Sequence, residues 1–478
     1  MSRVFQLHEN EIGELRKIFS PESVAIVGAS NTPSKIGYII TENLKNNSRR
    51  EIYPVNPRES EVQGIKAFPS LTAIPNQVDL AVIAVPAARV NEIISDCGKK
   101  AIKFALVITG GFAEFGDAGK RLSDSLLEKA KESGVSIVGP NSLGIICSSS
   151  NFRATFSPEF EQGGDLSCIS QSGGIWRVVF DRAHELGLGV EKYVGSGNEI
   201  DLTTSDYLKY LEGDEKTSAI LLYMEGLQNP REFLQVASQV TKKKPIIAIK
   251  TGETQAGARV ILTHTSSLAG KSELYRALFS QSGVVEVSET HELVDYANLF
   301  RGVKDFEIEP GVAIISAGGG LSILAADEFS KAGLDIPFFS SQVHDDFKKH
   351  LSDVSILNNP LDLGMTPVDE RGFRDLTYFG KMALSQENVG WLVFIDNVDI
   401  FLPEELVPAA KNLQDSFPTK RVIIVWFATS ASEHLRDAIK QAGKLGIPVF
   451  TSLRTASRAV SEYVRYAKWR FSKTEAHA

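Results

Sequence analysis

Along this chain a short apolar run, a turn rich in small residues and a helical pattern follow one another repeatedly, and this succession limits the fold more than anything else. Residues 23–30, Ser-Val-Ala-Ile-Val-Gly-Ala-Ser, predict a buried strand that runs into a turn at Gly28, with a helix over 37–44 behind it. Further apolar strands are expected over 51–55, 80–85, 104–108 and 135–138, with helices over 90–99 and 118–131 between the later ones. Strands that are apolar throughout, rather than at alternate positions, belong to a parallel sheet covered on both faces. Residues 1–146 are therefore expected to form an α/β domain of Rossmann type, with its ligand beyond the carboxyl ends of the strands.

Two details argue against a nicotinamide dehydrogenase. The first turn reads Gly28-Ala29-Ser30-Asn31-Thr32-Pro33-Ser34-Lys35-Ile36-Gly37 and lacks the tight GxGxxG spacing. The second strand ends in Val55-Asn56-Pro57, where a ribose-binding acid would stand. Backbone amides at the helix start, together with Lys35, can still hold phosphates, so a different nucleotide-like ligand is expected. The other strand ends, Val85-Pro86-Ala87, Thr109-Gly110-Gly111-Phe112 and Gly139-Pro140-Asn141-Ser142, carry small or turn residues. Such residues either admit a long, thin ligand to the backbone or simply make strand-to-helix turns.

After a polar connection over 147–164, a second strand and turn begin at 166, ending Ser170-Gln171-Ser172-Gly173-Gly174. A copy appears 146 residues later, where Ser316-Ala317-Gly318-Gly319-Gly320 closes the strand starting at Val312. The match runs without a gap through the helix, pairing Asp181 with Asp327 and Gly187-Leu188 with Gly333-Leu334. Later strands echo each other as well, 219–224 against 391–395 and 245–249 against 421–426. Two flavodoxin-like, doubly wound parallel α/β domains are expected, over 147–303 and 304–478. Each Gly-Gly turn offers amides at a helix N-terminus, where an anion gains up to about 2 kcal/mol. Tight packing of strand on helix would call for the same glycines.

With 478 residues the chain has room for about three such domains. A net charge of −8 disfavours a nucleic-acid partner, which would require a basic face. The three cysteines, Cys97, Cys147 and Cys168, are far apart and make neither a disulfide framework nor a zinc site. No apolar stretch approaches the roughly 18 residues of a membrane span, and the polar start, residues 1–17, has no signal core. A cytoplasmic protein is expected.

The most distinctive stretch lies over 250–270, where His264 sits in a loop of small and hydroxyl residues, Thr263-His264-Thr265-Ser266-Ser267-Leu268-Ala269-Gly270. No cysteine or second histidine is near enough to form a metal set. Glu225 ends the strand over 219–224, and strand-end loops share one rim, so Glu225 and His264 could meet there. A carboxylate accepting the Nδ1 proton would leave Nε2 free as a nucleophile. Taken singly, His264 would be an incidental loop residue and Glu225 a helix-start acid.

As a set, these motifs resemble the alpha subunits of the NDP-forming acyl-CoA synthetases, the group that contains ADP-forming acetyl-CoA synthetase and is related to succinyl-CoA synthetase. The resemblance covers nearly the whole chain. It rests on residues 23–30, 53–57, 78–86 and 139–141, on the Ser-Gln-Ser-Gly turn at 170–173, on Glu225, on the surroundings of His264, on Ala317-Gly318-Gly319 and on Asn359-Pro360-Leu361-Asp362. It implies a coenzyme A site on Gly28, Ala29, Ser30, Lys35, Gly37, Asn56, Pro57, Val85, Pro86, Thr109, Gly110, Gly111, Pro140 and Asn141. It implies phosphate binding by Ser170, Gln171, Ser172, Gly173 and Gly174 and by Gly318, Gly319 and Gly320. It also implies that acyl-CoA, phosphate and ADP interconvert with a small carboxylic acid, CoA and ATP, through an acyl phosphate and a phosphohistidine at His264 oriented by Glu225. The ATP-grasp nucleotide domain of the family is missing from these residues. A separate beta subunit that holds ADP/ATP and Mg²⁺, in an α2β2 heterotetramer, is implied in its place. Departures from the family pattern are Thr263 and Ser266 beside the histidine, Ser142 after Gly-Pro-Asn, and Trp176-Arg177 where small residues are usual. The last of these fits either an altered acyl pocket or a non-catalytic CoA-binding relative.

Overall fold

The computed structural model describes residues 9–47, 50–157, 163–264, 272–302, 308–351, 357–363, 375–396, 401–427 and 433–475. It divides into two compact units, Met1–Phe180 with Gly189–Leu293 and Asp181–Leu188 with Val294–Ala478.

The first unit contains two sheets. One is built from β1 (Ser23–Val27), β2 (Glu51–Val55), β3 (Leu80–Ile83), β4 (Phe104–Val107) and β5 (Ser136–Val138), in the order β2-β1-β3-β4-β5 and parallel throughout. Buried side chains point to both faces of β1, β3 and β4, as the unbroken apolar runs require. Helix α1 (Ile36–Asn47) follows the first turn.

The second sheet contains β6 (Gly144–Cys147), β7 (Phe152–Thr155), β8 (Leu166–Ser170), β9 (Val190–Gly195), β10 (Ala219–Met224), β11 (Ile246–Lys250) and β12 (Val285–Glu286). Its order is β12-β11-β10-β8-β9-β6-β7, parallel from β12 to β9 and antiparallel across β6 and β7. Strands β6 and β7 correct the sequence reading. The polar Ser148–Asn151 segment suggests a connection from 147 onward, but it is only the turn of a buried hairpin, so 144–155 belong to the second sheet. One hydrophobic cluster joins the sheets, with Val24, Ile26, Leu80 and Val82 on one side and Phe152, Ile169, Val194, Ile220 and Leu222 on the other.

The second unit contains the third sheet: β13 (Val312–Ser316), β14 (Leu361–Asp362), β15 (Trp391–Asp396), β16 (Arg421–Trp426) and β17 (Val449–Phe450). It is parallel, in the order β14-β13-β15-β16-β17. Its first strand takes the same place that β8 takes in β9-β8-β10-β11-β12. All three parallel sheets therefore share the flavodoxin-like order 2-1-3-4-5, with a crevice at the strand ends where the winding reverses.

The internal repeat extends to single hydrogen bonds. In the first copy the Ser170 hydroxyl accepts from Ser172 N at 3.3 Å and donates to Ser172 O at 2.7 Å. In the second, the Ser316 hydroxyl accepts from Gly318 N at 3.1 Å and donates to Gly318 O at 2.9 Å. The helices that follow are α2 (Ile175–Glu185) and α4 (Gly319–Lys331). Both run to a glycine in the left-handed region, Gly187 at φ 66° and Gly333 at φ 80°.

Candidate functional site

At the rim of the first sheet the glycines have a packing explanation. Gly28 has φ +96°, and a Cβ there would lie 2.5 Å from Ala84 O; a Cβ on Gly37 would lie 2.0 Å from Gly28 O. The start of α1 thus rests directly on the turn. Side chains then tie neighbouring strand ends together. Asn56 Nδ2 donates to Ala29 O at 2.8 Å, and the Thr109 hydroxyl donates to Val85 O at 2.7 Å. Asn141, at φ 60°, donates its backbone N–H to Thr109 O at 2.9 Å. Ser30 accepts from Thr32 N at 3.0 Å, and Lys35 is exposed in the turn before α1. The residues expected to hold coenzyme A therefore lie along one rim.

Two residues at this rim were not singled out from the sequence. Glu114 accepts from Gly111 N at 2.6 Å and from Phe112 N at 3.2 Å. Its other oxygen accepts from Asn198 Nδ2, at the end of β9, at 2.6 Å. Asn198 N also donates to Pro140 O at 2.9 Å, so the ends of β4, β5 and β9 meet. Gly195-Ser196-Gly197-Asn198-Glu199 is itself a glycine-bearing strand end, and that signal could have marked Asn198.

The rim of the second sheet differs. A Cβ on Gly173 would find nothing nearer than Leu143 at 3.7 Å, and one on Gly174 only Ser172 Oγ at 4.0 Å. Tight packing does not account for these glycines, which leaves the open turn as their role. Across the crevice between β8 and β10, Gln171 Oε1 accepts from Glu225 N at 2.6 Å and from Gly226 N at 3.1 Å, while its Nε2 donates to Gly226 O at 2.9 Å. Glu225 is buried. Lys250, buried at the end of β11, lies with Nζ 4.6 Å from the Tyr275 ring centre. Burial lowers the Lys250 ammonium pKa, and the charges of Glu253 and Glu225 oppose that shift. Burial also raises the pKa of the Glu199 carboxyl, against hydrogen bonds from Ser196, Thr204 and Gln171.

Within the stretch over 250–270, residues 255–264 are helical, up to the histidine expected in the loop. Helix α3 (Gln255–His264) starts where the Thr254 hydroxyl accepts from Gly257 N at 3.1 Å, and His264 is its last residue. Gln255, Ala256, Ala258 and Arg259 favour helix, which the small-residue reading overlooked. Cα atoms of α3 come within 8 Å of the Ala113–Phe115 turn, which holds Glu114. The His264 side chain and residues 265–271 lie outside the described residues, and so does the expected pairing with Glu225. Where small residues were expected, Trp176 stands 6.0 Å from the Phe180 ring, with Arg177 Cζ 5.9 Å above the indole.

In the second unit, a Cβ on Gly318 or Gly320 would meet nothing within 4 Å, whereas one on Gly319 would lie 3.1 Å from Asp362 Oδ2. Asn359, just before β14, bonds instead to the first half of β13, away from this rim. It accepts from Ile314 N at 2.9 Å and donates to Val312 O at 2.8 Å and to Pro337 O at 2.9 Å. A carboxylate thus stands beside the second open helix start. Among the described residues no group of three or more His, Cys, Asp or Glu could hold a metal ion, and no helix is long and apolar enough to cross a membrane.

Residues 22–148 match a CoA binding domain, and residues 163–300 match the succinyl-CoA ligase like flavodoxin domain. The chain is 35% identical to the alpha subunit of acetate–CoA ligase [ADP-forming] II of Pyrococcus furiosus, over 94% of this chain and 97% of that one. The chain belongs to the family of ADP-forming acyl-CoA ligases. A solved member, dinucleotide-forming acetyl-coenzyme A synthetase 1 of Ca. Korarchaeum cryptofilum in complex with phosphate and ADP, superposes with a TM-score of 0.86 at 30% identity, covering 97% of this chain and 99% of that one. Acetate–CoA ligase [ADP-forming] I of Archaeoglobus fulgidus is 36% identical over 95% of this chain, which spans only 64% of that longer ligase. The name subunit alpha of the Pyrococcus furiosus relative implies a partner subunit for that ligase.

Proposed function

We propose that this chain is the alpha subunit of an ADP-forming acyl-CoA synthetase. It would interconvert acyl-CoA, ADP and phosphate with a small carboxylic acid, CoA and ATP. The observation that carries this reading is the crevice between β8 and β10. There the unobstructed Gly173-Gly174 turn lies beside a buried acid, Glu225, whose turn is held by Gln171. Amides at a helix start stabilise the charge that develops on a transferring phosphoryl group.

In the direction of ATP formation, phosphate attacks the thioester carbonyl carbon. The C–S bond breaks, a C–O bond forms, and the thiol carries away a proton. Ser170, Gln171, Ser172, Gly173 and Gly174 form the turn assigned to hold this phosphate. Gly318, Gly319 and Gly320 supply a second helix start, shared with the Asp362 carboxylate. His264 Nε2 then attacks phosphorus, forming the P–N bond as the acyl oxygen leaves with the carboxylate. Glu225 is assigned to accept the Nδ1 proton and to balance the charge of the phosphorylated ring. The strand-end residues from Gly28 to Asn141 are assigned to coenzyme A, which supplies the thiol when bound. ADP and Mg²⁺ are assigned to an ATP-grasp beta subunit in an α2β2 assembly, and the protein to the cytoplasm.

The test is to incubate the chain with radiolabelled ATP, Mg²⁺ and a co-expressed ATP-grasp subunit, and to look for acid-labile phosphate. Label on His264 that disappears in His264→Ala is expected. An unlabelled wild type, or a fully labelled variant, would remove the assignment.

Trp176 and Arg177 at the start of α2 favour one other reading, a CoA-binding relative without catalysis. Calorimetry distinguishes the two: coenzyme A binding without CoA-dependent turnover, with the partner present, would select it.

A further inference from the structure

Gln171 has a role that its place in a glycine turn conceals. Its backbone N–H continues the sheet by donating to Tyr223 O at 3.2 Å, which puts the side chain across the point where the winding reverses. From there the carboxamide makes the three bonds to Glu225 and Gly226 given above, two as acceptor and one as donor. It is also among the groups that hydrogen-bond the buried Glu199 carboxyl. An amide side chain can accept two N–H groups on one atom and donate from the other, whereas a carboxylate only accepts and a cation only donates. Oε1 and one N–H of Nε2 are therefore given to the turn that begins at Glu225.

We propose that Gln171 is a positioning residue whose carboxamide fixes Glu225 for its work on His264, and that within the phosphate turn its side chain is not a ligand of the transferred phosphate. This inference rests on the phosphohistidine reading and deepens it. Phosphoryl transfer depends on alignment, and a displacement of about 1 Å in a supporting residue can cost about 100-fold in rate. Without the carboxamide, three backbone groups of the Glu225 turn lose their partners, and the carboxylate loses its fixed origin. A glutamate at 171 would still accept the two amides, but it would repel Gly226 O and place a second carboxylate beside Glu225.

The test uses the full chain with its partner subunit and compares Gln171→Ala, Glu225→Gln and the double variant. Expected for Gln171→Ala is a fall in kcat of about 100-fold, with KM for phosphate changed less than about threefold. In the Glu225→Gln background the same substitution should cost less than about threefold, because two residues acting through one element are not additive. Equal losses in both backgrounds would overturn the proposal. So would a raised KM for phosphate at unchanged kcat, which would make Gln171 a phosphate ligand. Amide hydrogen exchange at Glu225 and Gly226, measured by NMR, should accelerate at least about tenfold in Gln171→Ala. Unchanged exchange would also overturn it, whether or not the enzyme turns over. Retained coenzyme A binding checks that the variant is folded, and Gln171→Met, which keeps the side-chain volume, replaces it if it is not. A wild type that never labels His264 would defeat the phosphohistidine reading, while the exchange data would still decide whether Gln171 holds the turn.

Discussion

Asn198 Nδ2 donates to Glu114 Oε2 at 2.6 Å, and through this bond the end of β9 holds the glycine turn at the end of β4. Glu114 caps Gly111 N and Phe112 N with its other oxygen, so one carboxylate organises amides from one sheet and an amide side chain from the next. A hydrogen bond to a charged group contributes about 1.5–3 kcal/mol. Asn198→Ala is expected to lower unfolding free energy in urea by about that amount. It should also weaken coenzyme A binding by roughly tenfold, read by calorimetry, because the Gly110-Gly111 turn is released. Loss of stability without loss of affinity would place this turn outside the coenzyme A site.

Glycines at the two kinds of turn should respond differently to one added methyl group. At Gly28 a Cβ meets Ala84 O at 2.5 Å in a backbone with φ +96°, so Gly28→Ala should cost well over about 1 kcal/mol or fail to fold. At Gly320, within α4, nothing lies within 4 Å, and Gly320→Ala should be neutral or stabilising by up to about 1 kcal/mol. If that helix start receives a ligand, Gly320→Ala should nevertheless lose turnover with its partner subunit. Thermal unfolding and turnover, measured on the same preparation, check both halves.

Much of this arrangement was legible because apolar runs determine parallel strands so strongly. The strand over 51–55 and the helix over 90–99 were read to the residue. The hairpin of β6 and β7 was not, because four polar residues at its turn resemble a linker when its pairing with β9 is unknown. Helix α3 is hard to separate from the loop after it because Gly252, Gly257 and the hydroxyl residues that follow weigh against Ala256 and Ala258, which favour helix. The Gln171–Glu225 contact joins residues 54 apart, and no local pattern announces such a bond. Whether a glycine turn is packed or open likewise depends on neighbours distant in sequence, and here it separates Gly28 from Gly173.

Buried thiols set the alkaline limb of stability. Burial pushes Cys168 from 9.0 up to about 12, and burial together with the Asp96 charge does the same at Cys97. Unfolded, these thiols lose their protons above about pH 9, whereas the folded chain retains them. Their contribution is complete below about pH 9 and is lost as pH rises toward about 12, by up to about 1.4 kcal/mol per pH unit for each thiol. Tyr193, raised in the same direction by burial, adds to the trend at higher pH. Urea titrations at about pH 8 and about pH 10.5 should show this fall, and Cys97→Ala with Cys168→Ala should flatten it. An unchanged slope in the double variant would assign the limb to tyrosines.

Lys192 carries the opposite limb. It lies buried in β9, 3.1 Å from Glu191 and 2.7 Å from Asp214, with Glu191 also buried. Burial alone would raise the Asp214 carboxyl, but hydrogen bonds from Lys192 and Thr217 outweigh it and hold the group below its ordinary 3.8. That stability is present above the ordinary carboxylate value and is lost as pH falls through the depressed one. Lys192→Met keeps the side-chain volume but strands two carboxylates, and breaking a buried pair in this way costs about 3–5 kcal/mol. The variant should be less stable at neutral pH yet lose less further stability as pH falls, since Lys192 no longer opposes the uptake of a proton by Asp214 in the folded chain. Replacing Glu191 and Asp214 with apolar residues of similar volume in the same variant should recover most of the loss, because no charge is then left without a partner. Circular dichroism followed from neutral to acid pH reads all three proteins. If Lys192→Met alone unfolds like the wild type, the network contributes specificity and no stability.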